Sequence, residues 1–201
     1  MQRMRMPLLV AILVLAQGCA KSLRSGDSLH DSIPNFFSVD HALFRGGQPT
    51  PKGIQDLAGL GVKTVVNLRF EDDDMLELEQ ELVESMGMHW INMPMWALWR
   101  PSDRQVREFV HIVKDPEQQP VFVHCRKGED RTGVLVAIWR IMNGWTPEEA
   151  YAEARLLGLT PFNPFMKYVI LRESRKDYLG EYLTAQQPSP TTSKFSLVHA
   201  P

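Results

Sequence analysis

Apolar and polar residues follow two alternating patterns between residues 41 and 183. Short runs rich in β-branched and apolar residues are typical of buried strands, and they occur at 63–69, 88–95 and 121–124. Longer stretches with apolar residues three or four positions apart predict helices, at 51–60, 71–87, 102–115, 132–144, 146–158 and 164–183. Because strands alternate with helices, the sequence predicts an α/β fold with a mainly parallel central sheet flanked by helices.

Helix-start signals support these boundaries. The residue pairs typical of a helix N-terminus are Thr50–Pro51, Ser102–Gln105 and Thr146–Glu149. The helix over 71–87 begins with a run of acidic residues, which we interpret as a solvated first turn. Its apolar face is predicted to comprise Leu76, Leu78, Leu82, Val83 and Met86.

The N-terminus has the arrangement of a signal peptide. Arg3 and Arg5 precede an apolar run over 7–16, which is shorter than the about 20 residues that span a membrane. The following "AQGC" resembles the lipobox of bacterial lipoproteins, in which the cysteine is lipidated after cleavage. We predict a lipoprotein-type signal peptide over 1–18 and a lipidated Cys19, which would anchor an exported protein facing the periplasm or cell exterior. Plain secretion and an uncleaved anchor are the alternatives.

The rest of the chain is predicted to form one domain with irregular ends. Residues 19–40 are polar and are expected to form a tether, and residues 184–201 a disordered tail. The segment 41–183 between them is the predicted domain. With 201 residues, 44% hydrophobic and 23% charged, the chain can bury a core of its own.

The net charge and the cysteine content each argue against one role for the protein. The net charge of −2 supplies no basic face, so no nucleic-acid partner is expected. The chain has two cysteines, and lipidation of Cys19 would leave Cys125 without a disulfide partner. Cys125 is therefore expected to serve chemistry rather than to cross-link the fold.

The segment "VFVHCRKGEDRTG", 121–133, delivers that cysteine from a strand into a charged loop that leads directly into a helix. Loop amides and a helix N-terminus that converge on one point bind anions. Gly128 permits close approach of the backbone, and Arg131 offers a planar, two-pronged donor suited to phosphate. The same field stabilises a thiolate, so Cys125 is predicted to be a nucleophile at neutral pH.

"HCRKGEDRTG" resembles the H-C-x5-R-[ST] signature of the cysteine-dependent protein tyrosine phosphatase superfamily. "LFRGGQPTPKGIQDLAGLGVKTVVNLR" is similar to the front half of compact bacterial, plant and fungal atypical dual-specificity phosphatases, so the resemblance spans about residues 42–170. It implies a phosphate-binding loop made of Cys125, Arg126, Lys127, Gly128, Glu129, Asp130 and Arg131.

The resemblance also implies roles for individual residues. Cys125 would form a phosphocysteine, and Arg131 would hold the phosphoryl oxygens in the transition state. Thr132 would assist the departing thiolate, and His124 would order the loop and favour the thiolate. No metal or cofactor is implied. The general acid has two candidates, Asp103 upstream of the cysteine and Asp130 directly before the arginine.

Two features have alternative interpretations. Arg126 and Lys127 would face a polyanionic substrate, such as a phosphoinositide or inositol phosphate, or form a solvated pair neutralised by the neighbouring acids. Three tryptophans, Trp90, Trp96 and Trp99, would form a cleft wall or contribute packing.

The leading hypothesis is a metal-independent phosphatase that hydrolyses phosphate monoesters, with phosphoproteins, phosphoinositides or inositol phosphates as substrates. The alternatives are a non-catalytic phosphate- or phosphoprotein-binding module and a sulfur-transfer enzyme of the rhodanese type.

Overall fold

The computed structural model describes residues 26–70, 73–96, 99–161 and 167–170. These residues form six helices and five strands, and 167–170 are helical as well. In chain order the elements are α1 Gly26–Ser32, β1 Phe37–Ser38, β2 Leu43–Gly46, α2 Pro51–Gly59, β3 Thr64–Asn67, α3 Asp73–Ser85, β4 His89–Asn92, α4 Asp103–Lys114, β5 Val121–His124, α5 Asp130–Met142 and α6 Pro147–Leu156.

The strands form one sheet in the order β1-β2-β5-β3-β4. Strand β1 is antiparallel to β2, and the other neighbours are parallel, which confirms the predicted α/β fold with a mainly parallel sheet. The central strand β5 is paired so that His124 lies beside Gly46 on β2 and Asn67 on β3. These three residues therefore stand together at the carboxyl end of the sheet, where α/β folds place their ligand sites.

Both faces of the central strands are covered, as expected for parallel strands made of consecutive apolar residues. On β5, Val121 and Val123 belong to a core shared with α4, α5 and α6. Phe122 points to the opposite face and joins a second core with residues of α2 and α3. His124 stacks on Phe122 with ring centroids 5.5 Å apart, so the histidine before Cys125 faces the same side as α3.

The predicted helix-start signals are confirmed. Thr50, Ser102 and Thr146 each accept a hydrogen bond from the backbone N–H three residues later, and the latter two complete capping boxes. Helix α5 differs from the prediction because it begins at Asp130, two residues earlier, inside the charged loop.

The folded domain begins earlier than predicted. The tether predicted over 19–40 includes helix α1 and strand β1, and the side chains of Ile33 and Val39 are buried in the core. Because polar residues flank Ile33 and Val39, the sequence pattern did not indicate that this segment is part of the folded domain. Residues 1–25, with Cys19, and the tail 184–201 lie outside the described residues.

Strand β2 and the orientation of α3 also depart from expectation. No strand was predicted at Leu43–Gly46, where the short strand includes the fully buried Arg45. Of the predicted apolar face, Leu78 on α3 and Met86 just after its end are exposed, whereas Glu79 and Val83 on α3 are buried. The buried face of this helix is therefore rotated relative to the predicted one, and it includes the carboxylate of Glu79. Within the described ranges, no helix has the length and apolar character needed to cross a membrane.

Candidate active site

The predicted loop connects the end of β5 to the start of α5. Cys125 directly follows the strand and is buried, with 4% of its surface exposed. Helices α2, α4 and α6 have a Thr or Ser N-cap whose side chain accepts a hydrogen bond from the first turn. Helix α5 differs, because the side chain of its N-cap residue, Glu129, makes no such hydrogen bond. The first N–H groups of α5 are thus left for another acceptor, and the helix dipole favours an anion there.

Arg131 lies in the first turn of α5 and is buried. Its Nη1 donates hydrogen bonds to the carbonyl oxygens of Leu68 and Met95, each at 3.2 Å. These carbonyls belong to the segments that follow β3 and β4, so two strand ends fix the position of the guanidinium. Thr132 is fully buried, and its Oγ1 has no hydrogen-bond partner among the described residues.

The back of the loop rests on the segment after β2. Gly128 has φ of +76°, and a Cβ at this position would lie 2.4 Å from the carbonyl carbon of Gly46. A Cβ on Gly47 would lie 3.0 Å from the Lys127 backbone. Gly47 and Gly128 therefore allow the backbone after β2 and the backbone of the loop to come into contact. The Gln48 N–H donates to the Arg126 carbonyl at 3.1 Å and links the two segments.

His124 is held by a buried carboxylate that the sequence did not single out. Its Nε2 lies 2.8 Å from Oε1 of Glu79 on α3, and its Nδ1 lies 3.4 Å from the Cys125 carbonyl oxygen. Since a carboxylate only accepts, Nε2 carries a proton. The hydrogen bond to Glu79 therefore fixes the orientation of the imidazole ring beside Cys125.

Three further side chains complete the environment of Glu79. Its carboxylate accepts from Gln48 Nε2 at 2.6 Å, Asn67 Nδ2 at 2.8 Å and Trp90 Nε1 at 3.2 Å. Burial by itself would raise the pKa of Glu79, but the charge of His124 and the hydrogen bonds from His124, Gln48 and Trp90 lower it below its ordinary value. Glu79 is therefore an ionised group inside the protein.

The two candidate acids lie in different settings. Asp103 is exposed at the first position of α4, whose start is tied to the loop after β4 because Gln105 Nε2 donates to the Pro94 carbonyl at 2.7 Å. Pro94 precedes Met95, which contacts Arg131. The carboxylate of Asp130 instead accepts the Thr160 N–H at 2.8 Å, which directs it toward the segment after α6.

The remaining charged residues of the loop lie at its outer side. Arg126 and Lys127 are exposed, and Lys127 Nζ lies 3.9 Å from Oε2 of the half-buried Glu129. Both basic residues are accessible to an anionic substrate, and Lys127 has an acidic neighbour that partly offsets its charge.

The tryptophans separate into two groups. Trp90 is half-buried and supports Glu79, which agrees with a packing role. Trp96 and Trp99 are 64% and 63% exposed, and Trp96 stacks on Phe70 at 4.3 Å. Because Leu68 and Met95 both bind Arg131, the Phe70–Trp96 pair lies close to the site, and Trp96 and Trp99 are not part of the buried core.

Sequence reasoning missed the residues that support the loop from neighbouring elements. Asn35 and Arg45 donate to the Gly128 carbonyl, and the others are Gln48, Asn67 and Glu79. One signal was present, since Glu79 stands three residues after Leu76 and four before Val83, on the apolar side of its helix. A charged residue on an apolar stripe indicates a buried partner.

A protein-family model described as "DSP-PTPase phosphatase fused to NAD+ Kinase" matches residues 28–163. The rice protein "Probable NAD kinase 2, chloroplastic" is 35% identical over 117 residues, which are 57% of this chain and 11% of the rice protein. "Inositol diphosphatase DSP4" of Arabidopsis thaliana is 29% identical over 140 residues, 65% of this chain and 67% of that protein.

The dual specificity protein phosphatase TpbA of Pseudomonas aeruginosa is 31% identical over 125 residues, 61% of this chain and 54% of TpbA. Its crystal structure matches with a TM-score of 0.60 and 25% identity, over 77% of this chain and 91% of the crystallised chain. This chain therefore spans about a tenth of the rice kinase and about half of TpbA. Since the family match covers the sheet, the loop and the flanking helices together, the chain belongs to the DSP-PTPase phosphatase family.

Proposed function

We propose that the protein is a metal-independent phosphatase that hydrolyses phosphate monoesters through a phosphocysteine at Cys125. The observation that carries the proposal is the joint placement of Cys125 and Arg131 around the uncapped N-terminus of α5. A nucleophile, a two-pronged cation and free backbone donors are the three components that phosphoryl transfer requires.

In the first step the Cys125 sulfur attacks phosphorus, an S–P bond forms, and the bond from phosphorus to the leaving oxygen breaks. Arg131 and the loop amides bind the three non-bridging oxygens, on which negative charge is spread. In the second step a water oxygen attacks phosphorus and gives a proton to the carboxylate of the general acid, which protonated the leaving oxygen in the first step. The S–P bond breaks, and the thiolate departs with the unpartnered Thr132 hydroxyl available to donate to it.

The direct test is metal-free phosphate release from a labelled aryl phosphate in the presence of EDTA, with rapid denaturation in alkali, where the S–P bond survives, to trap the phosphoenzyme. We expect turnover that EDTA does not reduce and a labelled phosphate on the Cys125 peptide. Turnover without label at Cys125 would overturn the covalent mechanism, and absence of turnover would favour the non-catalytic binding module.

We assign the general acid to Asp103, because Gln105 ties the start of α4 to the loop that contacts Arg131. The Asp130 carboxylate is already engaged by the Thr160 N–H. Asp103→Asn is expected to lower kcat for alkyl phosphates by about 100-fold, within the range for loss of one general acid. The decrease should be smaller for aryl phosphates with acidic leaving groups, because such groups depart without being protonated. The measurement is kcat for a series of substrates, plotted against the pKa of the leaving group.

Asp130→Asn is the matched variant for the acid. It keeps an oxygen that accepts from Thr160 and should leave the dependence on leaving group unchanged. If Asp130→Asn steepens that dependence while Asp103→Asn does not, the assignment of the two residues is reversed.

The relatives support two substrate classes, inositol diphosphates by the name of DSP4 and phosphoproteins by the name of TpbA. The exposed Arg126 and Lys127 suit a polyanion, and the exposed Trp96 suits an aromatic leaving group. The test compares kcat/KM for phosphotyrosine peptides, phosphoinositides and inositol phosphates in wild type and in Trp96→Ala. The substrate class is the one with the highest kcat/KM in wild type, and a loss in Trp96→Ala that is confined to phosphotyrosine peptides would support an aromatic leaving group.

Export and lipid anchoring through Cys19 are part of the proposal and rest on the N-terminal sequence alone. Expression of the full chain in a bacterial host, with mass spectrometry of the mature N-terminus and membrane fractionation of wild type and Cys19→Ala, tests them. An unmodified N-terminus would remove the anchor from the proposal.

A further inference from the structure

Behind the phosphate-binding loop lies a second arginine, Arg45, that no step of the mechanism uses. It sits on β2 beside Val123 of β5 and is 0% exposed. Its Nη2 donates to the Gly128 carbonyl, while its Nε and Nη1 have no hydrogen-bond partner among the described residues. A guanidinium has five N–H donors, so most of the hydrogen-bonding capacity of Arg45 is unused.

Among the described residues, none neutralises the charge of Arg45 in an ion pair. In the described part of the chain, no carboxylate lies within ion-pair distance of it, and the Glu153 carboxylate is bound by Arg140 at 2.6 and 3.0 Å. Burial lowers the pKa of Arg45 to about 10, while Glu153 and Cys125 act to raise it. The residue stays positively charged at neutral pH, and an unpaired buried charge costs stability. Packing alone does not account for an arginine here.

The contact with Gly128 fixes the orientation of one peptide of the loop. The Gly128 carbonyl also accepts from Asn35 Nδ2 at 3.1 Å, and Asn35 is itself held in a left-handed conformation with φ of 53°. In a trans peptide the carbonyl oxygen and the following N–H point in opposite directions. Two donors behind the loop therefore turn the Glu129 N–H toward the other side, where the uncapped start of α5 lies.

The neighbouring peptides are oriented by the same principle. The Arg126 carbonyl accepts from the Gln48 N–H, and the Cys125 carbonyl lies near His124 Nδ1. The N–H groups of Lys127 and Arg126 are thereby turned away from those partners. Of the three contacts, the one at Gly128 is made by a guanidinium.

We propose that Arg45 is a positioning residue of the phosphate-binding loop, which holds the Gly128 carbonyl away from a bound oxyanion and places a second positive charge behind it. Arg131 grips the anion from the side of α5, and Arg45 supports it from β2 through the peptide that donates the Glu129 N–H. This inference rests on the proposed function only in taking the anion to be a phosphate group.

The test measures binding of inorganic phosphate by calorimetry in a Cys125→Ser background, so that it does not depend on turnover. Arg45→Met should weaken phosphate binding by about ten- to hundredfold, the range for loss of a hydrogen bond to a charged group. Its melting temperature should equal or exceed that of the parent, because a buried unpaired charge is replaced by an apolar chain of similar length. Arg45→Lys should retain part of the affinity.

Arg140→Met is the matched control. It removes another largely buried arginine but leaves Glu153 unpaired, so it should lower the melting temperature and leave phosphate binding unchanged. Asn35→Ala removes a donor from the Gly128 carbonyl without changing the charge, and it should weaken phosphate binding less than Arg45→Met does.

Unchanged phosphate affinity in Arg45→Met would overturn the proposal. So would a loss of affinity in both Arg45 variants that is matched by a lower melting temperature, because that pattern describes a purely structural residue. Failure of wild type to hydrolyse any ester, with normal phosphate binding and the expected variant pattern, would refute the proposed function and leave this inference standing.

Discussion

Replacement of Cys125 by serine is expected to lower kcat for a small aryl phosphate by at least about 10⁴-fold, as loss of an essential nucleophile does in other enzymes. A serine hydroxyl is a much weaker nucleophile than a cysteine sulfur, and in this variant it would occupy the same buried position before α5. Steady-state phosphate release, measured for both proteins at the same pH, gives the ratio.

The same variant should still bind inorganic phosphate, because the backbone donors and Arg131 remain. Its melting temperature should be close to that of wild type, since serine is slightly smaller than the buried cysteine and fits the same space. Retention of more than about a tenth of the wild-type kcat, with normal folding, would contradict the assignment of Cys125 as the nucleophile.

The sequence was most informative where local chemistry alone determines structure. Thr50, Ser102 and Thr146 cap the helices that they were predicted to start, because a capping oxygen needs only the N–H groups two or three residues ahead. The consecutive apolar residues within β3 and β5 likewise reflect strands that are buried on both faces. Such signals depend only on residues that are close in the sequence, so the sequence alone is enough to predict them.

The support for the loop could not be predicted because its contacts join distant parts of the chain. His124 and Glu79 are 45 residues apart, and Arg45 and Gly128 are 83 residues apart. A charged residue in a sequence is normally assigned to the surface, and only the folded sheet shows that β2 and α3 bring Arg45 and Glu79 behind the loop. The signature of the loop names the residues proposed to react but not the residues that orient its peptides.

Substitution of Glu79 by glutamine is expected to destabilise the protein by about 3 kcal/mol at neutral pH, the lower end of the range for breaking a buried ion pair. The carboxylate is 3% exposed and accepts from four side chains, of which His124 is the charged partner. Glutamine keeps the shape but removes the negative charge and turns part of the acceptor into a donor. Urea unfolding at pH 7 measures the difference in free energy.

The pH dependence of that difference has a definite sign. Because the folded-state pKa of Glu79 is lowered from 4.5, the unfolded chain binds the proton at a higher pH than the native protein does. The stability that Glu79 contributes is therefore fully present above about pH 5 and is lost as the pH falls through the folded-state pKa. Wild type and Glu79→Gln should differ most at neutral pH and converge in acid.

Glu84→Gln provides the matched control, since Glu84 lies on the same helix but is exposed, where a single charge contributes little. Its unfolding free energy should stay close to that of wild type at every pH. A difference between wild type and Glu79→Gln that is constant from pH 7 to pH 4 would show that the loss comes from packing. In that case the ionised Glu79 could not be what holds His124 beside Cys125.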